Sequence, residues 1–189
     1  MPQLVDRADL ESVFPAESLI IPVPESLALV THLPTRTVLT EVGIPDEPAA
    51  WLEVHEELSE GRLEAGYEAT ARRYPGLGLD VAHWFGLGGI CEDEVVLDGA
   101  TGEVHALPED APPYLLNSSF EAFLYFLYLL ETERPNYDNE AAGGDIEDTG
   151  AADRLRTLMA QADPAAPIAD PGSTWGVVLD GVATCLAAY

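Results

Sequence analysis

Carboxylates dominate what this chain could use for chemistry. Seven fall between Glu131 and Asp148 (Glu131, Glu133, Asp138, Glu140, Asp145, Glu147, Asp148), and three adjoin at Glu92-Asp93-Glu94. Such clusters can hold a hard cation or work as an acid–base pair. The first lacks the D-x-[DN]-x-[DN]-G-x5-E order of a calcium loop, so a mobile, solvated acidic loop at about 133–150 is expected. The second reads as an acidic turn. His32, His55, His83 and His105 form no H-x-x-x-H pair and no Cys–His pair. His83 and His105 could be neighbours across a meander, but ordinary strand positions explain them better than a metal site. Phe85-Gly86-Leu87-Gly88-Gly89-Ile90 resembles a phosphate cradle without matching either nucleotide-loop spacing, and no helix follows it. A bulged or twisted strand is the better reading. Ser118 and Ser119 lack a nucleophile-elbow setting, so helix capping accounts for them. No catalytic, cofactor-binding, metal or partner-binding residue is assigned, and neither enzyme activity nor a cofactor is expected.

Composition narrows the partners. The 189 residues carry 34 acids against 8 basic residues, all arginine, for a formal charge of −26. Such a surface repels nucleic acid and anionic lipid, and speeds encounter with a basic protein. A compositional bias toward solubility explains the acidity equally simply. Cys91 and Cys185 lie far apart with no metal-ligand spacing, which suits free thiols in a reducing compartment. Met1 to Leu10 has no basic head followed by an apolar run, and no later segment reaches the roughly 20 apolar residues of a bilayer span. A soluble, cytoplasmic protein is expected.

These residues must be held by a core, and its centre is Asn117 to Glu131. At helical spacing Phe120, Phe123, Leu124, Leu127 and Leu130 share one face, and the other face is hardly polar. A helix apolar nearly all round is buried on more than one side. Ser118 and Glu121 have the S-x-x-E spacing of a capping box. Ahead of it, Ala82–Ile90, Val95–Leu97 and Glu103–Leu107 predict a three-stranded antiparallel meander, with Tyr114–Leu116 as a further short strand. Asp6 should cap a first short helix, and Pro22 should confine Ser18–Val23 to an edge or an arm. Pro34 should open a helix that Gly43 and Pro45 close, and Trp51–Val54 could be a short strand. Leu63–Arg73 is weakly helical. Ala151–Ala162 and a helix capped by Ser173 complete a single domain spanning 1–189.

Several pieces, in this order, resemble the SUKH superfamily, in particular its fourth subfamily of bacterial immunity proteins. They are Thr35-Arg36-Thr37-Val38-Leu39-Thr40-Glu41-Val42-Gly43-Ile44-Pro45, the hairpin ending Thr101-Gly102-Glu103-Val104, Asn117-Ser118-Ser119 leading into Phe123, Asp163-Pro164-Ala165, and Trp175. The match runs from about residue 31 to the end; 46–80 and the acidic insertion depart from it. The resemblance implies an α+β fold with a central, mainly antiparallel sheet and helices on it. It implies an immunity protein that neutralises a toxin, often a nuclease or deaminase, by stoichiometric contact. Such a toxin would be basic. A general interaction or scaffold module is the alternative, and a carboxylate- or metal-dependent enzyme a more distant one. Loops 92–94 and 131–150 are the acidic surfaces that contact would use. The resemblance supplies no catalytic residues, and neither contact face nor oligomeric state follows from it.

Overall fold

The computed structural model describes residues 4–47, 50–143, 146 and 150–184. In chain order its helices and strands are α1 (Arg7–Glu11), β1 (Leu19–Ile20), α2 (Pro24–Leu27), α3 (Leu33–Glu41), β2 (Ile44–Pro45), β3 (Glu53–Val54), α4 (Glu56–Ser59), α5 (Glu68–Arg73), β4 (Trp84–Ile90), β5 (Asp93–Asp98), β6 (Val104–Leu107), β7 (Tyr114–Asn117), α6 (Phe120–Glu133), α7 (Asn139–Ala142), α8 (Ala151–Ala162) and α9 (Thr174–Ala183). Among the described residues, β3 to β7 form a five-stranded antiparallel meander, and β1 pairs with β2 in a separate ribbon. This is the α+β class expected from the sequence.

The apolar run becomes α6, with Phe120, Phe123, Leu124, Phe126 and Leu130 buried along it. Each such side chain contributes roughly 1.5–3 kcal/mol of apolar burial. They share a core with Phe85, Leu87, Val95, Leu97, Val104 and Leu116 from one sheet face. Trp175 of α9 closes on Phe123 and Phe126, with ring centroids 6.0 and 5.3 Å apart. Side chains alternate faces along a strand, so Trp84, Val96 and Leu107 point the other way. There they form a small second cluster with Val81, covered by Tyr67, Ala71 and Leu79. The sheet is thus thickly covered on one face and thinly on the other.

Several expectations need correction. The N-cap of α6 is Ser119, whose hydroxyl accepts from the Ala122 amide at 3.1 Å. Ser118 and Glu121 form no capping box. Ser118 turns to Asp163, and Glu121 accepts from the Leu4 amide at 2.8 Å. The further short strands expected at Tyr114–Leu116 and Trp51–Val54 are β7 and β3, and both join the three-stranded meander. Ile44–Pro45 does not simply end a helix but forms β2 against Leu19–Ile20. Gly43 makes this possible: its φ is +89°, and a Cβ there would lie 2.9 Å from the Ile20 carbonyl oxygen. Within Leu63–Arg73 only Glu68–Arg73 is helical.

Within the acidic segment, residues 134–136 and 139–142 form short helical turns. Pro135 stops α6, and a 3₁₀ turn (Arg134–Asn136) leads into α7. Two residues anchor it. Tyr137 is buried; its hydroxyl donates to the Leu130 carbonyl and accepts from Trp51 Nε1, both at 3.0 Å. Asp138, 2 % exposed, caps α7 through the Glu140 and Ala141 amides and accepts from Arg134 Nε at 2.8 Å. Most of 144–149 lies outside the described residues.

Candidate functional site

A sharp turn after β3 sends the chain back across the thinly covered sheet face. His55 precedes α4, and its amide bonds to the Leu87 carbonyl of β4. After α4 the strap 64–67 lies over the sheet, tied by the Gly86 amide to the Glu64 carbonyl at 3.2 Å. Between strap and sheet is an open cavity of about 370 Å³. Glu57, Glu64 and Glu94 contribute carboxylates to its lining, His55 an imidazole and Tyr67 a phenol; none of its lining residues is an arginine.

Gly86 forms the cavity floor. A Cβ there would come within 2.6 Å of Tyr67 Oη and 2.7 Å of His55 Nδ1. Two polar rings can close over this strand only because the position carries no side chain. The β-bulge between Gly86 and Gly88 twists the strand at the same point. The glycine-rich run is therefore a bulged strand whose floor serves a polar hollow.

Tyr67 Oη donates to Glu94 Oε1 at 2.6 Å. Burial pushes the phenol pKa up, reinforced by the hydrogen bond to Glu94 and the charges of Glu94 and Glu57. Tyr67 therefore stays a neutral donor, and the cavity is negative. Arg62 pairs with Glu60 on the exposed surface and feels Glu64 and Glu57 only as longer-range charges.

The structure separates the acids of the 92–94 turn. Glu92 is exposed. Asp93 Oδ2 accepts from Thr174 Oγ1 at 2.7 Å and from Tyr114 Oη at 3.3 Å, tying β5 to α9. Glu94 faces the cavity. The histidines also disperse. His32 Nδ1 meets Thr35 Oγ1 at 2.8 Å, and His83 is exposed before β4. His105 stacks on Trp84 at 4.9 Å, and burial pushes its pKa down. His83 and His105 are not cross-strand neighbours, because β5 runs between β4 and β6. Among the described residues, no three of His, Cys, Asp and Glu gather with metal-holding geometry. Cys91 sits exposed in the β4–β5 turn with φ +56°, and Cys185 lies outside the described residues.

Sequence reasoning missed the cavity. His55, Glu57, Glu64 and Tyr67 fall in 46–80, where no periodicity stood out, and only Glu94 came from a segment already flagged as acidic. Gly86 was the available signal: a glycine between Phe85 and Leu87 marks a close approach on the opposite sheet face.

The motif residues converge elsewhere, on a buried knot. Asp163, 1 % exposed, accepts from Asn117 Nδ2 (3.1 Å), from the Ser118 amide (2.8 Å) and hydroxyl (2.9 Å), and from the Ala165 amide (3.2 Å). Asn117 Oδ1 accepts in turn from Trp175 Nε1 at 3.1 Å. The end of β7, the start of α6, the end of α8 and α9 are thereby locked together. Asn117, Asp163 and Trp175 hold the fold and are too buried to meet a partner, while Ser118 is exposed at the edge of the knot.

Among the described residues, no helix is long and apolar enough to cross a membrane. No curated protein and no solved structure matches the chain. A family-level comparison does match, over residues 5–181, to the SUKH-4 immunity protein family. The match spans the sheet, α6, the Asn117–Asp163–Trp175 knot and the cavity alike, and the chain belongs to that family, whose role is immunity to a toxin.

Proposed function

We propose that this protein works in the cytoplasm as a stoichiometric inhibitor: it binds a toxin of nuclease or deaminase type and blocks it by contact, with no turnover of its own. The observation that carries this reading is the family match across nearly the whole chain. Charge supports a basic toxin, since 34 acids face 8 arginines, and enzymes acting on nucleic acid are commonly basic. The cavity supports contact better than catalysis. Its tyrosine is held neutral, and its carboxylates come from α4, the strap and β5 without pairing to a nucleophile.

The test is protection. Cells producing the toxin encoded beside this gene should survive when this protein is co-produced, and the two purified proteins should form a complex of fixed stoichiometry. Their affinity should fall as salt rises. Survival with no complex would point to a scaffold or an enzyme instead.

A further inference from the structure

We propose that the cavity between β4, β5 and the 55–70 strap is the contact point for a single arginine side chain of the toxin. This rests on the binding role proposed above and specifies its chemistry.

Charge complementarity is the first argument. Glu57, Glu64 and Glu94 line the cavity, and no lysine or arginine does. Among the described residues, the carboxylates of Glu57 and Glu64 accept no hydrogen bond within the protein, and one Glu94 oxygen is held by Tyr67. Other carboxylates of this chain are used internally: Asp138 by Arg134, Glu133 by Arg154, Asp163 by Asn117 and Ser118. Acceptors in the cavity thus remain open to a donor from outside.

Shape is the second argument and selects the kind of cation. The cavity acids do not gather closely enough to hold a metal ion. A guanidinium is a wide, planar fork of five donors that can reach carboxylates on two walls at once. About 370 Å³ admits that group together with part of its aliphatic stem. Tyr67 and His55, brought together over the bare Gly86, add flat rings against which a guanidinium can stack. A lysine ammonium fits less well, being a compact point charge with no plane to stack. Tyr67 fixes Glu94 in place before the guest arrives, so little ordering remains to oppose binding.

The probe is ethylguanidinium chloride, titrated into the 15N-labelled full chain, with methylammonium chloride and sodium chloride as controls. The expected result is a saturable shift of the Gly86, Tyr67 and Glu94 amides with ethylguanidinium alone, abolished in a Glu57→Gln, Glu64→Gln, Glu94→Gln variant whose melting temperature is unchanged. Shifts that do not saturate, or that sodium chloride reproduces, overturn the proposal. With the toxin itself, the same variant should bind roughly tenfold or more weakly. A control replacing the exposed Glu17, Glu25 and Glu109 by glutamine should lose less. Equal losses would show a general charge effect and overturn the cavity's role. The two readings fail separately. A protein that gives no protection refutes the immunity role, while the ethylguanidinium titration still decides whether the cavity takes a guanidinium.

Discussion

The carboxylates around α6 and those around the cavity share a chemistry but not a use. Near α6, Asp138 and Glu131 flank Arg134, Glu133 meets Arg154, and Asp163 collects donors from Asn117, Ser118 and Ala165. These acids are bonded within the protein: Glu131 and Asp138 pair locally with Arg134, while Glu133 and Asp163 tie separate stretches of chain together. Around the cavity, Glu57, Glu64 and Glu94 come from separate elements and meet no arginine in its lining. Arg62 reaches Glu57 and Glu64 only as a longer-range charge, so these like charges oppose folding slightly. A site for an external cation accounts for keeping them there.

If the contrast is right, damage to the two regions should differ in kind. The largest effect belongs to Asp163→Ala. It strands the buried Asn117 amide and the Ser118 donors and loosens the hold on Trp175, so unfolding in urea should show a loss of about 3 kcal/mol or more. Next is Arg134→Met, which leaves Asp138 and Glu131 uncompensated in a partly buried setting; about 2 kcal/mol should be lost in the same measurement.

Acid titration gives a smaller effect whose direction follows from the ion pairs. Burial raises the Asp138 pKa, but Arg134 and the Ala141 and Glu140 amides outweigh it and hold the group below its usual value. The Arg154 hydrogen bond holds Glu133 down likewise. A carboxyl whose folded pKa is depressed stabilises the fold above its unfolded pKa and loses that contribution as pH falls through the folded value. Burial moves Glu131 the other way, so it opposes the trend. The melting temperature should therefore fall as pH drops below about 4, and Arg154→Ala should flatten that slope. The smallest effect on stability belongs to the cavity. Replacing Glu57, Glu64 and Glu94 together by glutamine should leave unfolding within about 0.5 kcal/mol of wild type, as for surface substitutions. A large loss there would erase the contrast.

The sequence made one side of this contrast legible. A dense apolar stripe from Phe120 to Leu130 announces a buried helix. Asp6 and Ser173 announce their caps, which the structure contains. The order of motif pieces pointed to the family, because Asn117, Ser118, Asp163 and Trp175 meet in one place and serve the fold. The capping box failed because Ser118 had a stronger option: a buried carboxylate 45 positions away, which local spacing cannot reveal. The helical turns at 134–142 were hidden for a similar reason. Tyr137 and Asp138 anchor them through tertiary contacts amid residues of polar composition. The cavity was hidden because its walls come from four separate stretches, and strand pairing brings them together.

The most direct test is a calorimetric titration of the purified neighbouring toxin into the Glu57→Gln, Glu64→Gln, Glu94→Gln variant, beside wild type at one salt concentration. The division of carboxylates predicts a dissociation constant at least roughly tenfold higher with an unchanged melting temperature. An unchanged dissociation constant, or binding lost only together with the fold, would contradict it.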